Sequence, residues 1–153
     1  MFYGMKLEDE ISQDKFRNEY HKAAVNLIFT FSWLRSYQEK VFKPNGITSQ
    51  QFNILRILRG QHPKPANIKL IRERMLDRMS DCSRIVEKLR AKGLIERTIC
   101  PADRRHVDVI ITKKGLDLLA KLDAVSEEAD KFLSNLNEKE IKQLNSLLDK
   151  LRG

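Results

Sequence analysis

Apolar residues recur at helical spacing along the first third of the chain, from Phe16 to about Phe42. This segment contains no proline or glycine, and its apolar positions form one stripe: Phe16, Tyr20, Ala23, Ala24, Leu27, Ile28, Phe31 and Leu34. The pattern is long for a helix inside a single small domain. We therefore expect a long helix that buries part of its length against another chain and ends at the breaker Lys43-Pro44-Asn45-Gly46.

A second helix is predicted from Thr48 to Gly60. Thr48 and Gln51 have the spacing of a capping box, and Ile47 with Phe52 has that of a hydrophobic staple. The positions expected to face the core are Phe52, Leu55 and Leu58.

Two prolines then interrupt the helical pattern. Pro63 and Pro65 favour an extended backbone. After them Asn67 is placed to cap a short helix with apolar positions Ile68, Ile71 and Met75. The exposed positions of that helix are basic: Lys69, Arg72 and Arg74.

The next helix is predicted from Ser80 to Lys92, with Gly93 as its stop and either Asp77 or Ser80 as its cap. Its apolar face consists of Cys82, Ile85, Val86 and Leu89. Its polar face carries Ser80, Ser83, Arg84, Glu87 and Lys88, with Asp81 at the edge. A short helix, a tight turn and a second helix with one apolar and one polar-basic face are typical of a helix-turn-helix.

A two-stranded hairpin is predicted directly after this helix. Leu94 to Thr98 and Val107 to Ile111 alternate as strands, and the loop between them carries Arg104 and Arg105. Helix-turn-helix followed by such a hairpin describes a winged helix, whose helix fits a major groove and whose thin arginine tip suits a narrow minor groove. Asp103 is spaced to hold the Arg105 guanidinium in a bidentate pair.

The C-terminal third shows two further amphipathic helices that divide near Asn135 to Asn137. Their apolar positions are Leu119, Leu122, Ala129, Phe132, Leu136, Ile141, Leu144, Leu148 and Leu151. Asn137 and Glu140 have capping-box spacing at the start of the last helix. Long apolar stripes at both ends of a small winged helix favour a dimer, with a monomeric helical hairpin as the alternative.

Positive charge is concentrated in the middle of the chain. Between Lys43 and Gly115 there are 17 lysines and arginines against 7 aspartates and glutamates, whereas the remainder has 12 against 14. All of the net charge of +8 therefore comes from the middle segment. This distribution is typical of a module that binds a polyanion such as nucleic acid.

The middle segment resembles the MarR (multiple antibiotic resistance regulator) family. The matching residues are Ser83-Arg84-Ile85-Val86-Glu87-Lys88-Leu89, Lys92-Gly93-Leu94-Ile95, Asp103-Arg104-Arg105 and Ile111-Thr112-Lys113-Lys114-Gly115. In the family these positions form the recognition helix, the turn into the wing, the wing tip and the start of the following helix. Asp81 departs from the family pattern, in which a small neutral or hydroxyl residue is common, so the base preference there stays open.

The resemblance implies a mainly α (α+β) winged helix-turn-helix fold with terminal dimerisation helices. Residues 1–44 would form the N-terminal dimerisation helix, 45–114 the DNA-binding domain and 115–153 the C-terminal dimerisation helices. A homodimer would bind a near-palindromic operator in double-stranded DNA, usually as a repressor that a small molecule, an oxidant or occasionally a metal releases. The expected DNA-binding residues are Ser80, Asp81, Ser83, Arg84, Lys88, Asp103, Arg104 and Arg105.

Other chemistry finds little support in the sequence. His21, His62 and His106 lie far apart, and no phosphate loop, nucleophile elbow or metal-ligand spacing is present, so we expect a protein that is not an enzyme and has no cofactor or metal. The family resemblance implies that it is a bacterial regulator. The absence of a signal or membrane-spanning segment favours the cytoplasm. Two alternative functions stay open: a protein-interaction module, and a thiol sensor acting through Cys100, whose neighbouring arginines can lower a thiol pKa. Cys82 is expected to be inert in the core.

Overall fold

The mainly helical winged-helix architecture expected from the sequence is confirmed. The computed structural model describes residues 5–99, 107–130 and 133–153, and the side chains of all of these except 99 and 124–130. The helices are α1 (Leu7–Ile11), α2 (Glu19–Phe42), α3 (Ser49–Gln61), α4 (Ile68–Arg74), α5 (Cys82–Ala91), α6 (Lys113–Asp130) and α7 (Glu138–Arg152). The strands are β1 (Ala66–Asn67), β2 (Ile95–Ile99) and β3 (Val107–Ile111). Among the described helices, none is both long enough and apolar enough to cross a lipid bilayer.

Residues 1–49 form one compact unit, in which α2 is the longest element. The helix begins at Glu19 rather than at Phe16, because the Asn18 side chain caps it by accepting a hydrogen bond from the His21 backbone N–H at 2.9 Å. Phe16 lies before the helix and meets the His21 ring edge-on. Several apolar side chains of α2 are exposed in the single chain: Tyr20, Leu27, Ile28 and Phe31.

Residues 50–153 form the second unit, which contains the rest of the helices and the sheet. The sheet is antiparallel with the order β1-β3-β2, and β2 and β3 pair from Ile95 opposite Ile111 to Ile99 opposite Val107. The short strand β1 was not predicted from the sequence. It places Ala66 opposite Val109 and thereby joins the segment before α4 to the wing.

The core of this second unit lies between α3, α4, α5, α6 and the sheet. Its fully buried side chains are Ile54, Leu55, Leu58, Ile71, Cys82, Val86, Leu89, Ile95, Val109, Leu119 and Leu122. Leu55 and Leu58 are buried as predicted, whereas Phe52 is only half-buried and lies beneath the Arg56 guanidinium, 5.8 Å from its ring centre. Gly60 does not end α3, which continues to Gln61.

An ion pair that no sequence pattern predicted joins α3 to α6. The Arg59 guanidinium donates two hydrogen bonds to the Asp123 carboxylate, at 2.5 and 3.1 Å, and Arg56 lies 3.8 Å from the same carboxylate. This bidentate pair lowers the pKa of Asp123. It joins the second half of α6 to α3.

The wing and α6 meet at a tight junction around Thr112 and Gly115. The Thr112 hydroxyl donates to the Gly93 carbonyl at 2.8 Å and accepts from the Gly115 backbone N–H at 3.2 Å. Lys114 donates to the Lys92 carbonyl at 2.8 Å. A β-carbon on Gly115 would overlap the Leu94 carbonyl oxygen and lie 2.7 Å from Ile111 Cγ1. The Thr112-Lys113-Lys114-Gly115 motif therefore connects the end of the wing to the turn after α5.

Gly115→Ala is expected to lower the free energy of unfolding by about 1–3 kcal/mol, because the added methyl group overpacks a backbone junction. Gly60→Ala is the matched control, since a β-carbon there meets no atom within 4 Å and Gly60 lies inside a helix. The control should be neutral or slightly stabilising. Chemical denaturation of the two variants measures both values, and equal stability for the two would contradict the close approach at Gly115.

The last helix begins as the sequence predicted. Asn137 and Glu140 form a capping box, in which the Asn137 side chain accepts from the Glu140 backbone N–H and the Glu140 carboxylate accepts from that of Asn137. No residue of α7 is buried in the single chain. Its large exposed apolar side chains are Leu144, Leu147 and Leu151.

Candidate nucleic-acid interface

Helix α4 and the turn after it are held by short side-chain hydrogen bonds. Asn67 caps α4 as predicted, accepting from the Leu70 backbone N–H at 2.8 Å. Asn53 of α3 accepts from the Leu76 backbone N–H at 2.9 Å. Asp77 accepts from the Ser80 hydroxyl at 2.6 Å and from the Met79 backbone N–H at 3.0 Å, and these bonds lower its pKa. The turn therefore has a fixed shape set by two side chains.

Helix α5 begins two residues later than predicted, and neither of the two candidate residues caps it. Asp81 is the N-cap, and its carboxylate accepts from the Arg84 backbone N–H at 3.1 Å. Ser80 lies in the turn, half-buried. The departure at Asp81 thus has a local explanation, because a carboxylate satisfies free N–H groups and interacts favourably with the positive end of a helix.

Asp81→Ala is expected to lower the free energy of unfolding by about 1 kcal/mol, because the N-cap acceptor is lost. Asp81→Asn keeps a cap oxygen and should stay close to the wild-type value. Thermal denaturation of the two variants measures the difference. If Asp81→Asn lowers the free energy of unfolding as much as Asp81→Ala does, Asp81 contributes through its charge rather than through capping.

The two faces of α5 separate as the sequence predicted. Cys82, Val86 and Leu89 are buried, and Ile85 is half-buried. The structure confirms that Cys82 lies in the core, and this burial raises the pKa of its thiol. The side chains of Ser83, Arg84 and Lys88 are exposed on the other side. We call this exposed set the recognition face.

Glu87 does not belong to the free polar face on which the sequence pattern placed it. Its carboxylate accepts from Arg97 on β2 at 2.8 Å and from Arg90 at 3.0 Å, and both bonds lower its pKa. The acid therefore links α5 to the first strand of the wing. Its charge is balanced by these two arginines, so Arg84 and Lys88 dominate the electrostatic character of the recognition face.

A further group of basic side chains lies on α4 and in the turn after it. The exposed members are Lys69, Arg72, Arg74 and Arg78. Arg78 was not among the sequence candidates, because its turn gives no periodic pattern from which exposure can be inferred. The same turn exposes two apolar side chains, Leu76 and Met79.

The predicted wing tip lies outside the described residues. The pairing of β2 with β3 that the structure describes extends as far as Ile99 opposite Val107. Asp103, Arg104 and Arg105, as well as Cys100, belong to the segment between these two residues. The contacts predicted for them stay predictions.

Comparison with known proteins identifies relatives that are similar in sequence. A model of the MarR family matches residues 45–106. The "HTH-type transcriptional regulator MgrA" of Staphylococcus aureus is 32% identical over 118 residues, which are 76% of this chain and 78% of that protein.

Two solved structures show the same fold. One is a mutant MarR from E. coli complexed with operator DNA, with a TM-score of 0.77 and 22% identity, covering 90% of this chain and 99% of that one. The other is BpsR of Bordetella bronchiseptica, from a study of the regulation of its DNA binding by 6-hydroxynicotinic acid. It has a TM-score of 0.69 and 22% identity, with 84% and 99% of the two chains covered.

Proposed function

The chain belongs to the MarR family of DNA-binding transcription regulators, and we propose that it acts as a homodimeric repressor of a near-palindromic operator. One observation carries the proposal. The α5 face opposite the buried core exposes Ser83, Arg84 and Lys88, while the nearby acids Asp81 and Glu87 are engaged by hydrogen bonds within the protein. Arg84 and Lys88 therefore give a positive character to the side of α5 that faces away from the core.

Helix α5 would enter the major groove, which is wide enough to admit one helix. Arg84 lies in the first turn, where a recognition helix reaches base edges, and it is our candidate for a base or phosphate contact. Ser83 and Lys88 would position the helix on the phosphates. Ser80 and Asp81 would contribute by shaping the turn and the helix start, through the bonds to Asp77 and Arg84 described above.

The wing would contact the adjacent minor groove. Arg105 is our candidate for insertion, with Asp103 orienting its guanidinium and Arg104 adding phosphate attraction. The Glu87–Arg97 ion pair supports this arrangement, because it fixes the first wing strand to the helix in the major groove.

Arg105→Ala is expected to weaken operator binding more than Arg104→Ala, and Asp103→Ala should give a milder version of the Arg105 defect. The reason is the acid-to-arginine spacing, which favours Asp103 as the partner of Arg105. Fluorescence anisotropy with a labelled duplex compares the three variants. Equal losses for the two arginine variants, with none for Asp103→Ala, would contradict the orienting function.

We propose that a small-molecule effector releases the DNA. The support is analogy with BpsR, the relative described above whose DNA binding is regulated by 6-hydroxynicotinic acid. Dimeric regulators of this kind dock two recognition helices about one helical turn apart, so a change of a few ångströms in their separation is enough to prevent simultaneous docking.

The operator can be identified by selecting duplexes from a random-sequence pool with the purified protein. We expect an inverted repeat whose half-sites are centred about one helical turn apart. Placed upstream of a reporter gene, the selected site should lower expression when the protein is present. Recovery of unrelated sequences without a repeat would contradict sequence-specific binding, and increased expression would contradict repression.

A further inference from the structure

Two large apolar side chains project into solvent from the turn between α4 and α5. Met79 is 95% exposed and Leu76 is 89% exposed, the largest values among the large apolar side chains described. Their backbone N–H groups are held by Asp77 and Asn53, so the fold displays both side chains from a fixed turn. Exposing such side chains in water costs hydrophobic free energy, which a binding partner would recover.

The surroundings of this pair indicate the chemistry of the partner. The exposed charged residues beside it in sequence include Arg74 and Arg78, and Arg84 follows in the first turn of α5. The acids of the same segment, Asp77 and Asp81, accept backbone N–H groups of the turn and the helix start. The complementary surface of a binding partner would therefore present apolar groups between negative charges. The major groove offers this combination, because thymine C5-methyl groups lie on its floor between two phosphate strands.

We propose that Met79 packs against the C5-methyl group of a thymine in each operator half-site and is a specificity-determining residue. The proposal rests on the proposed DNA-binding function. Met79 is the better placed of the two, since it lies three residues before the first residue of α5, whose N-terminal part would face the bases. A flexible thioether chain can follow the irregular apolar surface around a methyl group. Leu76, nearer the end of α4, would face the sugar-phosphate backbone.

Deoxyuridine, which lacks only the C5-methyl group, provides a direct test. The probe is the duplex selected from a random pool, together with duplexes in which thymines are replaced by deoxyuridine one symmetric pair at a time. For one pair we expect wild-type affinity to fall by about fourfold per half-site, the effect of exposing roughly one methyl group. Met79→Ala should bind the thymine duplex more weakly by at least a similar factor, and its affinity should no longer differ between the thymine duplex and the deoxyuridine duplex. Met79→Leu should largely retain this difference in affinity.

Leu76→Ala is the matched control, because it truncates a similarly exposed apolar side chain of the same turn. It should keep the full thymine-to-deoxyuridine difference. Met79 is almost wholly exposed, so the melting temperature of its variants should not change. If Met79→Ala keeps the same difference as the wild type, or if Leu76→Ala alone removes it, the proposal is wrong while DNA binding stands. If the wild-type protein selects and binds no duplex, both the proposal and the proposed function are wrong.

Discussion

Arg84→Ala is expected to weaken operator binding by about 1–3 kcal/mol per half-site if the guanidinium contacts a base edge, that is, by roughly 5- to 150-fold. In that case the preference at one operator position should relax. If the contact is to phosphate, binding should weaken evenly across sequences, and the salt slope should fall by about one per lost contact. Anisotropy titrations over single-base operator variants distinguish the two contacts.

The stability of the Arg84 variant should stay close to that of the wild type. The side chain is exposed and lies opposite the buried Cys82, Val86 and Leu89, and only its backbone N–H is used by the Asp81 cap. Arg35→Ala is the matched control, since it removes an exposed arginine of α2 that pairs with Glu39 on the same helix. A clear drop in melting temperature for Arg84→Ala with unchanged DNA affinity would mean that the recognition face is assigned to the wrong side of α5.

Replacing Leu147 and Leu151 of α7 together by aspartate is expected to convert a dimer into a monomer and to weaken operator binding at least about 100-fold. Both leucines are more than half exposed in the single chain, so their replacement removes little packing within it. In a dimer they would be buried, and an unpaired carboxylate in an apolar interface is strongly unfavourable. A monomer would hold only one half-site, which brings its affinity towards the non-specific range.

Analytical ultracentrifugation measures the change in mass directly. The wild-type protein should sediment at about twice its 17.9 kDa chain mass and the double variant at close to 17.9 kDa. Asn145→Asp is the control, because it adds a carboxylate at an exposed polar position of the same helix. A wild-type protein that is a stable folded monomer at micromolar concentration would contradict the proposed dimer.

Elements defined by local patterns could be predicted from the sequence. The apolar face of α5, the strand β3 and the caps at Asn67 and Asn137 all depend on residues within a few positions of each other. Periodicity and capping signals carry that information, because they arise from local backbone geometry.

Features that depend on tertiary contacts could not be predicted in the same way. The partner of Glu87 is ten residues away on a strand, and that of Arg59 is on α6, so no local spacing indicates either pair. The strand β1 is too short for any alternation to be visible and forms because β3 offers a free edge. The Asp81 cap was missed for a different reason: several adjacent residues were chemically suitable, and only the tertiary position of the turn selects among them.

The central claim, that α5 and the wing together bind duplex DNA in a sequence-specific manner, is tested most directly by the salt dependence of binding to the selected operator. We predict that affinity for the operator falls steeply as salt rises, by about 10³–10⁵-fold between roughly 50 and 200 mM if 6–10 phosphates are contacted. At each salt concentration the operator should bind at least about 10³-fold more tightly than a scrambled duplex of the same composition. Binding that hardly changes with salt, or equal affinity for the operator and the scrambled duplex, would contradict the claim and favour a winged helix that contacts protein instead.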